Sequence, residues 1–128
     1  MRACFITVLA MVILCGCAAH KKIYQGPELP HAQIARIKLD TKPYAISHGR
    51  IDYLDWPPFS DSFTVDVLPG FYKFSFEDIV YSAVGHKELV KYRWGYAIKV
   101  EAGHTYRIYC DRDNRKCSQS DTTGHEEY

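Results

Sequence analysis

From Phe63 onward the chain repeatedly alternates apolar and polar residues with a period of two, which only extended strands sort onto opposite faces. Phe63, Val65 and Val67 alternate with Thr64 and Asp66. Leu68-Pro69-Gly70 then turns the chain, and Tyr72, Phe74 and Phe76 alternate with Lys73 and Ser75. The pattern returns in Tyr96, Ile98 and Val100, turns at Ala102-Gly103-His104, and continues in Tyr106, Ile108 and Cys110. Proline fixes φ and glycine supplies positive φ, so each turn is expected to close a hairpin whose apolar faces pair. Ala35 to Leu39 reads as an earlier strand, with a short helix as the alternative because Ile34 and Ile37 are three apart. Asp40 to Pro43 turns, and Tyr44 to Leu54 is strand-like but broken at His48-Gly49. Asp55 to Ser62 is a loop, and Ile79 to Trp94 is less regular, with a turn at Gly85. Ten Tyr, six Phe and two Trp favour sheet. The expectation is an all-β domain, an antiparallel two-layer sandwich of about seven strands. Its core is expected to hold Val65, Val67, Tyr72, Phe74, Ile98, Val100, Tyr106 and Ile108.

The first residues carry a different signal. Arg2 precedes a run from Phe5 to Leu14 that is apolar except at Thr7, too short for a spanning helix of about 20 residues and suited to a helical signal peptide. Leu14-Cys15-Gly16-Cys17 closes that run and resembles the lipobox of bacterial lipoproteins. The resemblance implies cleavage between Gly16 and Cys17, with a diacylglycerol on the Cys17 thiol and a fatty acyl group such as palmitate. It also implies a lipid-anchored protein facing the periplasm. An Asp after the lipid-bearing cysteine commonly holds Gram-negative lipoproteins in the inner membrane; Ala18 here points to the outer membrane. The competing reading is an uncleaved N-terminal anchor, since Ala3 to Ala19 is uncharged.

The chain therefore divides into a signal peptide at 1–16, a lipidated flexible tether at 17–33, a sandwich at 34–117 and a flexible tail at 118–128. Gly26, Pro27 and Pro30 argue against regular structure in the tether. The five cysteines sort with this division. Cys4 and Cys15 leave with the leader and Cys17 takes lipid, so Cys110 and Cys117 remain as a disulfide pair in an oxidising compartment.

Three short segments resemble known families. Tyr24-Gln25-Gly26-Pro27-Glu28-Leu29-Pro30 is similar to the start of a group of small Gram-negative lipoproteins of unassigned function. Val67-Leu68-Pro69-Gly70-Phe71-Tyr72 resembles the turn of prealbumin-like and PEGA-like sandwich modules. Val100 to Tyr106 resembles their closing strand pair, although the PEGA tetrapeptide itself is absent. The resemblance implies an Ig-like or prealbumin-like sandwich in the cell envelope and transfers no functional residues.

Chemistry is sparse. Arg2 is the only charged residue ahead of Cys17, so the rest of the chain is balanced in charge and offers no electrostatic case for nucleic acid. The six histidines lack zinc spacing, and Asp111-Arg112-Asp113-Asn114 lacks the Gly and distal Glu of a calcium loop, so no metal or other cofactor is expected. Neither a G-x-S-x-G elbow nor a phosphate-cradling glycine loop is present. Two classes of function remain: a non-catalytic module contacting an envelope protein, or a glycan-binding module stacking Trp56, Phe59 or Trp94 on sugar rings. The loop holding Trp56-Pro57-Pro58-Phe59 is the candidate binding loop, with inward-folded aromatics as the plainer alternative.

Overall fold

The computed structural model describes residues 18–81 and 88–124. Gly16, Cys17 and the turn expected at Gly85 lie outside them. Nine strands are described: β1 (Ala18–Lys22), β2 (Ala35–Leu39), β3 (Ala45–Ser47), β4 (Ile51–Tyr53), β5 (Ser62–Val67), β6 (Gly70–Tyr81), β7 (Glu88–Val100), β8 (Thr105–Asp111) and β9 (Lys116–Asp121), with one 3₁₀ turn at His31–Gln33. They form two sheets, β1-β5-β2-β8-β9 and β4-β3-β6-β7, packed as an all-β sandwich. The second sheet is antiparallel throughout, whereas β1 runs parallel to β5 and β2 parallel to β8.

The period of two places the core. Ala35, Ile37 and Leu39 on β2 point inward with Val65 and Val67, as do Tyr72, Phe74, Ile98, Val100, Tyr106 and Ile108. All eight residues expected in the core are buried, joined by Phe76, Ile46 and Phe63. At about 25 cal/mol per Å² of apolar surface, these aromatic and β-branched side chains supply most of the drive to fold.

The turns work differently from the expectation. Leu68-Pro69 joins β5 to β6 in different sheets, and residues 101–104 likewise join β7 to β8. Each is an arch across the core. The strands they join face one another through side chains and share no ladder. A turn at proline and glycine reverses the chain in both geometries, and the hydrogen-bond partner decides between them. β5 finds β1 and β2 on its two edges, and β6 finds β3 and β7. The arches are tied locally. The Tyr72 hydroxyl donates to the Leu68 carbonyl (2.6 Å), and Gly103, at φ 80°, donates its N–H to Ile34 O (2.8 Å). A positive φ of that size favours glycine. The irregular stretch instead supplies the longest hairpin, with β6 and β7 paired from Gly70↔Val100 to Tyr81↔Glu88.

Two segments read as flexible are part of the fold. In the expected tether, Ala18 to Lys22 pair with Ser62 to Asp66, and Ile23 donates its N–H to Asp66 O (2.9 Å). Beyond it, Tyr24 is buried and its hydroxyl accepts the Leu29 N–H (3.1 Å). Gly26 at φ 94° bends the chain there, so glycine and proline shape a turn and do not free the backbone. In the expected tail, Ser118 to Asp121 pair with β8, and Thr122 donates its N–H to Thr105 O (2.8 Å). β9 is an edge strand exposed on most of its length, which needs no apolar alternation; polar edges also resist unwanted pairing.

Cys110 and Cys117 lie opposite each other in the β8–β9 ladder and are joined by a disulfide, as expected from the sorted cysteines. A loop this small should contribute about 2–3 kcal/mol in the chain-entropy model. The bond holds a turn in which Asp111 accepts from the Asp113 N–H (3.0 Å) and the Asn114 amide (2.7 Å). That turn packs on the long hairpin, where the Arg115 guanidinium lies 3.5 Å from the Tyr92 ring centre.

Candidate functional site

The loop between β4 and β5 splits its two aromatics. Leu54 and Trp56 continue the inward phase of the strand before them, with Asp55 exposed between. Trp56 is only 6% exposed, its ring edge-on to Phe63 at 5.0 Å. Its Nε1 donates to Pro43 O (2.9 Å), satisfying the one polar atom that burial would strand. The ring thus plugs one end of the sandwich, which is the inward-folded alternative stated for this loop, and Trp56 is a packing residue. Phe59 does the opposite. It is 96% exposed, and its φ of 65° is one that a bulky side chain rarely adopts. Ser60 pins the bend by donating to Pro57 O (2.8 Å).

Trp94 gives no free platform either: it is half-buried and stacks on Phe76 at 5.5 Å. Exposed aromatic and aliphatic surface lies instead on Tyr53 (77%), Phe71 (68%) and Ile51 (60%), on the outer face of the β4-β3-β6-β7 sheet. Phe71 lies on the outward phase of the strand that buries Tyr72 and Phe74, a phase legible in the sequence, whereas Ile51 and Tyr53 alternate just as core residues do. Only the register Ala45↔Tyr53 and Ser47↔Ile51 turns them outward, opposite in phase to Ile46.

A groove runs along the seam where the two sheets end, between residues 20–25 and residues 50–54. It holds about 490 Å³ and continues past Ile23 and Arg50 toward His48, Leu68 and Tyr72. β1 pairs only with β5 and β4 only with β3 among the described residues, so this seam presents two strand edges.

The ionisable pairs bind elements together. Asp66, 4% exposed, accepts from Arg36 Nε (2.9 Å) and Nη2 (3.2 Å), and lies 2.7 Å from His20 Nε2. It therefore joins β1, β5 and β2 on the outer face of their sheet. Burial alone pushes its carboxyl up, but the hydrogen bonds and charges of Arg36 and His20 outweigh this and hold it below the usual 3.8. At the β9 edge of the sheet, Asp121 is held down to about 2 by hydrogen bonds from Thr123 and His104. His104 is raised above its usual 6.5 by the bond to Asp121. No group of three His, Cys, Asp or Glu able to hold a metal ion occurs among the described residues.

No family model matches the chain, and neither a curated protein nor a solved structure matches it. No helix among the described residues is long and apolar enough to cross a membrane.

Proposed function

We propose that this chain is a lipid-anchored envelope protein whose sandwich acts as a non-catalytic interaction module, with Cys17 carrying the lipid and the seam groove receiving a protein partner. The observation that carries the reading is the groove itself. It sets two strand edges beside the exposed Tyr53, and strand edges with an adjacent side-chain pocket suit the addition of an extended segment from another protein. The burial of Trp56 and the stacking of Trp94 weigh in the same direction, since they withdraw two of the three aromatics named for glycan stacking and leave Phe59 as a lone exposed ring. The lipobox-like Leu14 to Cys17 supplies the anchor and the cell-envelope setting, the outer membrane being favoured by Ala18.

Site-specific photocrosslinking in intact cells tests the groove. A photoreactive residue at position 53 is expected to give a discrete crosslinked species. The same residue at Arg107, on the outer face of β8, is expected to give none. Arg50→Glu in the position-53 chain should weaken the adduct. Equal capture at 53 and 107, or none at 53, would remove the groove as the partner's seat.

A further inference from the structure

The two sheets differ by one strand, and the difference falls at the seam. At one side of the sandwich β7 faces β9: the Tyr96 hydroxyl donates to Gln119 Oε1 (2.9 Å), and the Arg115 guanidinium lies over the Tyr92 ring. From that side four strands lie opposite five, which leaves β1 at the other side with no strand facing it. Lys21 and Ile23 continue the inward phase of Ala19 and look across a gap. The groove of about 490 Å³ is that gap, walled by residues 20–25 on one side and by Arg50, Asp52, Tyr53 and Leu54 on the other.

The hydrogen bonds tell which groups border it. His48 donates its N–H to Arg50 O (3.0 Å) and Leu54 donates to Tyr44 O (2.9 Å), so Asp52, midway between them in register, exchanges its own bonds with Ile46. The N–H and C=O groups of Ile51 and Tyr53 therefore point the other way, off the edge of the sheet, and meet no partner among the described residues. A strand laid against β1 would overhang the sandwich with nothing opposite it. A strand laid against β4 completes the second sheet to five and fills the groove. Charge narrows what that strand carries. Lys21, Lys22 and Arg50 line the groove against one carboxylate, Asp52, which already accepts from Arg50 and lies 3.5 Å from His48 Nδ1. The Lys21 ammonium stands 5.7 Å from the centre of the Trp56 ring, a cation on the inward phase of an edge strand.

We propose that the occupant of the groove is an extended, acidic segment of a partner protein, which adds to β4 as a fifth strand through the main chain of Ile51 and Tyr53 and turns a carboxylate toward Lys21 and Arg50. This occupancy rests on the groove serving as a partner's seat, as proposed above, and adds the edge, the bonds and the charge of what binds there.

A photoreactive residue at position 51 of the full chain in intact cells reports occupancy, and substitutions at position 53 separate main chain from side chain. Tyr53→Ala keeps the N–H. Tyr53→Pro removes it, and proline is tolerated on an edge whose N–H faces away from the ladder. The adduct is expected to fall about fivefold further in Tyr53→Pro than in Tyr53→Ala, the effect of one lost hydrogen bond, while the two variants melt alike. Lys21→Glu should lower the adduct by a similar factor. Equal adducts in the two Tyr53 variants would overturn strand addition and leave the groove as a seat. A Tyr53→Pro chain that melts far below Tyr53→Ala would place that N–H in the fold and overturn the open edge. An adduct indifferent to Lys21→Glu would overturn the acidic character, and one of twice the chain's mass would overturn the partner protein in favour of a second copy. No adduct at 51 or 53 in the parent chain would overturn the seat and the strand addition together.

Discussion

Replacing Trp56 with alanine is expected to cost about 3–5 kcal/mol, the range for truncating a large buried aromatic. The loss has identifiable parts: the apolar area of the indole, its edge-on contact with Phe63, and the hydrogen bond to Pro43 O, whose acceptor would be left in the cavity. Phe59→Ala, three residues away, should change stability by less than about 0.5 kcal/mol because the ring touches mainly solvent. Urea unfolding of both variants separates the two positions in one experiment. A Trp56 variant as stable as the parent would mean that the ring is no plug, and the loop would again be open as a recognition element.

Asp66→Asn is expected to cost about 2–3 kcal/mol. Breaking a fully buried ion pair costs about 3–5 kcal/mol, but the side chains of Arg36 and His20 are 31% and 48% exposed and recover part of their solvation. The effect should be visible as pH dependence. Asp66 and Asp121 are depressed in the folded state, so the stability they lend is present above the unfolded value of 3.8 and lost as pH falls through their folded values, down to about 2 for Asp121. His104 is raised, so its smaller share is complete below 6.5 and lost as pH rises through its folded value. Thermal melts should be flat between the two windows and fall at both sides, with the acid limb shallower in Asp66→Asn. An acid limb unchanged by that substitution would show that the pairing at Asp66 adds nothing.

What the sequence announces clearly is which side chains face inward. Ala35 to Leu39 alternate without interruption and form β2 with the bounds read from them. The arches show where this stops. A turn at Leu68-Pro69-Gly70 looks the same whether the next strand pairs with the last or crosses the core, and only the competing partners of β5 and β6 decide. β1 was illegible for a related reason. Of the two residues on its inward phase, Ala19 and Lys21, only Ala19 is apolar, and the strand is held by backbone pairing and by His20 on Asp66, neither of which leaves a mark in hydrophobic periodicity. In the loop, by contrast, the inward phase of Leu54 and Trp56 was available from their spacing, whereas the exposure of Phe59 follows from a positive φ that no residue there signals.

Everything proposed about setting depends on a single thiol, and labelling it is the most direct test. Cells expressing the full chain or Cys17→Ser are fed a tagged fatty acid, and the protein is recovered and examined for label and for its N-terminus. The expected result is label on the parent chain, which begins at Cys17, and an unlabelled variant that retains residues 1–16. Label that persists on Cys17→Ser, or a parent chain that never takes it up, would contradict the anchor and leave the sandwich without its assigned place at the membrane.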